Sequence, residues 1–347
     1  MRKYKFHGEK LVFSEGLAAF RGGYENRIGF VDIQGNIVIK PKFHDIGYWG
    51  GGKGFHEGLC KASYRRRYGF INKDGEVGIS PIYKKVQNFS EGLAAVLDNK
   101  YLIYYINKDG VKAIDKAYKP LAFLPQQHKF SGDFHEGLAF VPMPTCQRDL
   151  GVFIDKSGEY KIEPAFDWRA NQHTFFSDGV AIVKRYGPHY YGILDHKGNF
   201  LENKRFEYAG KNVEYFRKGE DGIVFKQRRK YGLIDKMANI IVEPIYESII
   251  DFNEKYLIVK LDGQKRLINR ADGKTVEYPN VEFKSWFIDG LALVYYNNHF
   301  GFIDITGQFI IEPTFTNAHD FSDGVAQVEI DGKWGLINTK GEKIAGF

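Results

Sequence analysis

One six-residue phrase governs what this chain can fold into: aromatic, any residue, acid, glycine, leucine or valine, alanine. It reads Phe13-Ser14-Glu15-Gly16-Leu17-Ala18 first, then Phe55-His56-Glu57-Gly58-Leu59-Cys60. It returns from Phe89, Phe134, Phe176, Phe287 and Phe321, and in weaker form from Phe216 (with Asp221-Gly222-Ile223-Val224) and Phe252. These nine starts are 34 to 45 residues apart. Periods of that length belong to stacked or radially repeated units, none of which can bury its core alone. The expected domain is therefore one repeat array over residues 1–347, with units starting near 13, 55, 89, 134, 176, 216, 252, 287 and 321.

A second phrase follows each first: aromatic, glycine, apolar, isoleucine, Asp or Asn, two residues, glycine. Tyr68-Gly69-Phe70-Ile71-Asn72 and Trp334-Gly335-Leu336-Ile337-Asn338 are examples. A Pro-x-aromatic run closes many units, as at Pro41, Pro81, Pro244 and Pro313. Leu-Ala-x-Val bounded by glycine reads as a strand, and the aromatic-Gly segment as a second. Asp or Asn opening a turn whose glycine takes a left-handed conformation fits the spacing between second and third strands. Proline cannot donate to a ladder, so it should mark a strand end or edge, with the following aromatic leading a short fourth strand. The expected fold is all-β: about nine antiparallel meanders of three or four strands, in a β-propeller-like ring or an open β-superhelical array. The last unit stops without a Pro-x-aromatic run, so residues 1–12 are either a cap or a ring-closing strand, with Tyr4–His7 beside the C-terminus.

These phrases resemble the WG, or KWG, repeat of bacterial proteins. The ninth unit is the nearest match, with Gly332-Lys333-Trp334-Gly335-Leu336-Ile337-Asn338. Most units place another aromatic or aliphatic residue at the tryptophan position. The third and seventh replace the glycine by Tyr104 and Arg266, so those units should be irregular. The resemblance implies tandem β-units and no catalytic residues.

Composition narrows the function classes. The 39 glycines, 22 tyrosines and 29 phenylalanines suit strands and tight turns. A net charge of +6 favours acidic partners weakly and does not by itself indicate nucleic acid. Cys60 and Cys146 are far apart with no Cys-x-x-Cys spacing, so neither a zinc site nor a disulfide framework is implied. The start, Met1-Arg2-Lys3-Tyr4, has no apolar signal segment, and no run of about 18 apolar residues is present, so the cytoplasm is the expected compartment.

The recurring acids could ring a cation, but an acid before glycine more simply accepts backbone N–H bonds. Polar positions that repeat with the fold do not make the asymmetric constellation that catalysis needs. No catalytic residue, metal ligand or cofactor is therefore expected. The aromatics before glycine (Tyr68, Tyr191, Tyr231, Phe300, Trp334) could line a ligand face, although packing is the simpler role. Three segments break the symmetry. Arg65-Arg66-Arg67 and Arg228-Arg229-Lys230 are basic hairpin tips. The insertion from Pro142 to Asp149, with Met143, Thr145 and Arg148, lengthens the corresponding loop of the fourth unit. Long loops on repeat scaffolds carry contacts. The expectation is a non-enzymatic binding or scaffolding module with another protein as partner. Lectin-like carbohydrate binding at repeated sites, or an anionic partner such as nucleic acid on the basic loops, are the alternatives.

Overall fold

The computed structural model describes the chain except residues 1–3, 6–8, 24, 47–53, 120–131, 145–148, 168–173, 185–190, 202–221, 238, 252–255 and 277–280. Among the described residues there are nine small antiparallel sheets and no helix, one sheet for each unit of the sequence. The residues group into two compact units. One comprises Met1–Pro81 with Glu277–Phe347, the other Ile82–Val276.

The first phrase is a two-residue β-hairpin. Glu15 has φ +53° and Gly16 +83°, and Ser14 pairs with Leu17 across them. Paired positive φ values define the type I′ turn, which favours Asp-Gly and its relatives because its twist matches that of the strands. The same bridge forms at Ser90↔Leu93, His135↔Leu138, Ser177↔Val180 and Ser322↔Val325. No heavy atom lies within 4 Å of the Cβ that Gly16 lacks, so backbone conformation alone selects glycine there.

The first sheet shows the common order: Phe13–Ser14, Leu17–Gly22, Arg27–Asp32 and Ile37–Phe43. Between its third and fourth strands, Asp32 Oδ1 accepts the N–H groups of Gln34 (3.0 Å) and Asn36 (2.7 Å), while Gly35 takes φ +75°. Asn72, Asp155, Asp195, Asp304 and Asn338 repeat this turn. In the sixth sheet Asn239 gives its N–H to Asp235 as Asn36 does to Asp32.

Proline marks an edge, one of the two expected places, and not a strand end: Pro41 lies inside the seven-residue fourth strand at the edge of the first sheet, and Phe43 completes that strand by pairing with Ile28. From Ile28 to Phe30 the third strand advances two residues while its partner runs four, Phe43 to Ile39, a bulge centred on the proline. The Phe300↔Phe315 and Phe302↔Ile311 pairs repeat it at Pro313. A bulge on an edge strand removes the need for the missing N–H. It also brings backbone onto the third strand: a Cβ on Gly29 would sit 2.5 Å from Ile39 O, and one on Gly69 2.2 Å from Ile79 O. That is why the second phrase needs glycine. Where Tyr104 replaces it, the facing segment makes only the bridges Ile103↔Tyr118 and Ile106↔Lys112. The short strand expected after the aromatic does exist, but it opens the next sheet. Lys85–Val86 pairs with Val96 and Leu97, and Asn317–Ala318 with Glu329 and Val328.

The weak sixth unit is also shifted by one. Ile223 pairs with Ile234 as Ala18 pairs with Val31, so Gly222 stands at the leucine place.

Within each compact unit, hydrophobic clusters lie between neighbouring sheets. In the second strand Ala139 and Val141 face the cluster shared with the third sheet, and Leu138 and Phe140 the one shared with the fifth. Both faces are buried, so these strands read as unbroken apolar runs. The ninth sheet meets the first in the same way, around Phe13, Ala18, Phe20, Val325 and Leu336. Tyr4 enters this cluster, gives its N–H to Gly35 O (2.8 Å) and packs on Phe20. The ninth sheet takes all four strands from Asn317–Gly346, so Tyr4 does not supply the strand expected there; residues 6–8 lie outside the described residues.

Candidate functional site

The recurring acids link neighbouring sheets. Among the described residues, five of them project from their hairpins to the backbone N–H of the corresponding glycine in a neighbouring sheet. Gly58 donates to Glu15 (3.1 Å), Gly137 to Glu91 (3.1 Å), Gly179 to Glu136 (2.9 Å) and Gly324 to Asp289 (2.8 Å). Gly16 donates to Asp323 at 2.7 Å, joining the first sheet to the ninth. The residue before the acid adds a second link: Ser14 Oγ donates to Phe55 O, Ser90 Oγ to Phe134 O, and Ser322 Oγ to Phe13 O. A side chain from the next sheet's third turn completes several clasps: Lys73 with Glu15 (3.2 Å), Lys156 with Glu91 (3.1 Å), His196 with Glu136 (2.9 Å), and Lys236 with Asp178. Partial burial alone would raise the Glu15 pKa. The Lys73 ammonium and the Gly58 and Glu57 N–H groups outweigh it and hold that carboxyl below the usual range. Glu91 behaves alike through Lys156, Gly137 and Glu136. The acids are thus spent on the fold, as the simpler reading of them expects.

The aromatics before glycine are partly buried. Tyr191, Tyr231 and Phe300 pack on inter-sheet clusters, and Trp334 stacks on His319 with centroids 5.3 Å apart. Tyr68 is turned to Asp45, its hydroxyl donating at 2.7 Å, and burial with that carboxylate raises its pKa well above the ordinary value. Buried Cys60 has its thiol pKa pushed up to about 12 by desolvation, which makes it unreactive.

Both basic clusters cap the hairpin between the second and third strands of their own sheets. Arg65 and Arg66, with φ +49° and +63°, and Arg228 and Arg229, with +49° and +67°, form the two-residue turns. Arg67 and Lys230 are the first residues of the third strands. Elsewhere the same turn is Asp262-Gly263, Asn297-Asn298 or Asp331-Gly332, with similar φ values. The expected fourth-unit loop is shorter than the sequence suggested. Pro142 and Met143 belong to the strand Leu138–Pro144, paired with Gly151 and Leu150; Pro142 is buried and Met143 packs against a cluster. The ladder runs into the insertion as far as the pair of Pro144 with Asp149. Thr145 and Arg148 lie outside the described residues.

Sequence reasoning missed a cleft of about 400 Å³ between the first and second sheets. Lys42 and Phe43 form one wall, Ala62–Tyr64 and Gly69–Ile71 the other, and Val77, Ile79 and Pro81 the edge. Its lining is mostly apolar. The volume lies within the ~300–1,000 Å³ usual for ligand sites. Register explains the space. At the place of Ala62 the other sheets carry Phe20, Val96, Val141, Val183, Phe225, Val259, Val294 and Val328. Ala62 is the smallest of the nine. Exposed Tyr64 stands at the mouth, edge-on to His44 (6.4 Å) and 5.3 Å from the Arg65 guanidinium. The alanine standing in for valine was the available signal.

The architecture is that of an all-β, propeller-like repeat protein. The family model described as "WG containing repeat" matches residues 28–59, 68–101, 153–187, 231–264 and 300–334. The chain is a WG-repeat-containing protein. Each match begins on or near a third strand and runs into the following sheet, so the sequence repeat spans the junction between sheets. A solved eukaryotic initiation factor shares the fold at 11% identity, with TM-score 0.60 and 95% of each chain covered. BamB from Moraxella catarrhalis aligns at 10% identity and TM-score 0.42 over 96% of this chain and 94% of its own. The dihydro-heme d1 dehydrogenase NirN aligns at 12% and 0.44 over 99% and 74%. No curated protein sequence matches. Among the described residues no helix is long and apolar enough to cross a membrane.

Proposed function

We propose that this protein is a non-catalytic scaffold that binds another protein through the hairpins joining the second and third strands. One observation carries this reading. At one end of the sheets the acid–glycine clasp recurs in five places, whereas at the other end the hairpins differ: Arg65-Arg66, Asp98–Tyr101, Arg228-Arg229, Asn297-Asn298 and Asp331-Gly332. A recurring clasp ties neighbouring sheets together, and variable loops are where repeat proteins place specificity. The cytoplasm is the proposed compartment, and carbohydrate at repeated sites is disfavoured by the packed state of the repeated aromatics. The test is site-specific photo-cross-linking in cells, with the cross-linker at Arg66 and separately at Asp74, on a third turn. A discrete protein adduct from Arg66 and none from Asp74 is expected. Equal labelling from both positions would contradict a directional interaction surface.

A further inference from the structure

We infer that the cleft beside Ala62 is a binding site for an acidic peptide segment that carries a bulky apolar side chain. This rests on the scaffold reading and specifies one of its contacts. Three observations point the same way. The floor and edge are apolar, which suits an aliphatic or aromatic side chain and offers a sugar few hydrogen bonds. The rim is cationic: Lys42, Arg65 and Arg66 are exposed there, beside His44. The nearby carboxylate of Asp45 accepts the Tyr68 hydroxyl. The third observation concerns strain. Arg65 and Arg66 both hold positive φ, in a turn that other sheets make with Asp-Gly or Asn-Asn. Left-handed backbone is unfavourable for arginine, and strain retained at a surface with a cheaper local solution points to function.

The occupant is a peptide rather than a nucleic acid. A phosphate backbone requires cations spaced along a track, whereas here they gather at the mouth of an apolar recess that admits one or two side chains. The acidic residues of the peptide would meet the arginines, and exposed Tyr64 would stack on its anchor.

The test is fluorescence anisotropy on the full chain, with a fluorescein-labelled peptide of sequence Asp-Glu-Asp-Leu-Phe-Glu-Asp. Saturable binding is expected. Substituting alanine for the Leu-Phe pair should weaken it about tenfold, a difference of about 1.4 kcal/mol. Two protein variants keep the outcome separate from folding. Ala62→Val installs the residue that six other sheets carry at this register, so the fold should persist while the cleft closes and binding drops at least about tenfold. Arg65→Asn/Arg66→Gly should raise the thermal midpoint and still weaken the peptide. Retention of wild-type affinity by both variants would overturn the inference, as would tighter binding of a single-stranded oligonucleotide than of the peptide. Failure of the peptide to bind at all, with the Arg66 adduct intact, would sink this site while leaving the scaffold standing; loss of the adduct as well would sink both.

Discussion

Glycine serves two different purposes in each repeat, and substitutions separate them. Gly69 is required by space, since a Cβ there would meet Ile79 O at 2.2 Å and Pro81 N at 2.8 Å. Gly69→Ala should force the fourth strand outward and cost roughly 2–4 kcal/mol in urea unfolding. Gly16 has open space but φ +83°, so Gly16→Ala should cost only about 1–2 kcal/mol. Equal losses would refute the distinction. The clasp acids give the protein an acid dependence. The folded-state pKa values of Glu15 and Glu91 are lowered from 4.5, so their stabilisation is complete above that value and disappears as pH falls through the lower folded values. Urea midpoints measured downward from neutral pH should fall below about pH 4.5. A Glu15→Gln/Glu91→Gln protein should start lower and show a shallower fall. An unchanged acid slope would remove the carboxylates from the clasp.

At the scale of the hairpin, local chemistry predicts which elements are strained. Arg228-Arg229 occupies a turn with two positive φ values, and Arg228→Asn/Arg229→Gly should stabilise the chain by about 1–2 kcal/mol in thermal or urea unfolding. A neutral or destabilising result would mean that these side chains make compensating contacts. The same local chemistry made much of the fold readable in advance. Acid–glycine pairs and Asx turns impose their geometry within four residues, so the strong phrases marked their hairpins and third turns correctly. What escaped depends on partners distant in sequence. Nothing near Asn317 says that it pairs with Glu329 in the next sheet and not with the strand just completed. The proline bulge is visible only once Phe43 is known to face Ile28. The cleft at Ala62 is a missing volume, which emerges only when nine strands are placed in one register. The basic tips were legible as hairpins, but their strain was not, because φ is not written in charge. The sixth unit misled for the opposite reason: Asp221-Gly222 imitates the phrase one residue out of register.

Across the whole molecule the first and last sheets obey the rule that binds consecutive ones. Phe13 N and O both meet Ser322 Oγ at 2.8 Å, Gly16 N meets Asp323, and Leu11 N reaches the buried Gln327 side chain at 3.3 Å. Lys10 and Asp320 form an ion pair at 2.6 Å beside them. The Gly16–Asp323 and Phe13–Ser322 contacts, separated by 307 and 309 residues, thus reproduce links elsewhere separated by 35 to 46. Such an array has no single core; its stability is distributed over the inter-sheet clusters and clasps, as nearest-neighbour terms. The proposed interaction surface depends on this, since hairpins present a defined face only on sheets held rigidly to their neighbours. The most direct measurement is hydrogen–deuterium exchange of the intact protein against a Ser322→Ala/Asp323→Ala variant. A clasp between first and ninth sheets predicts faster exchange at Phe13–Gly22, some 300 residues from the substitutions, with strands such as Ala94–Leu97 and Leu138–Pro144 unchanged. Faster exchange confined to the neighbourhood of residues 322–325, with Phe13–Gly22 as protected as before, would contradict it.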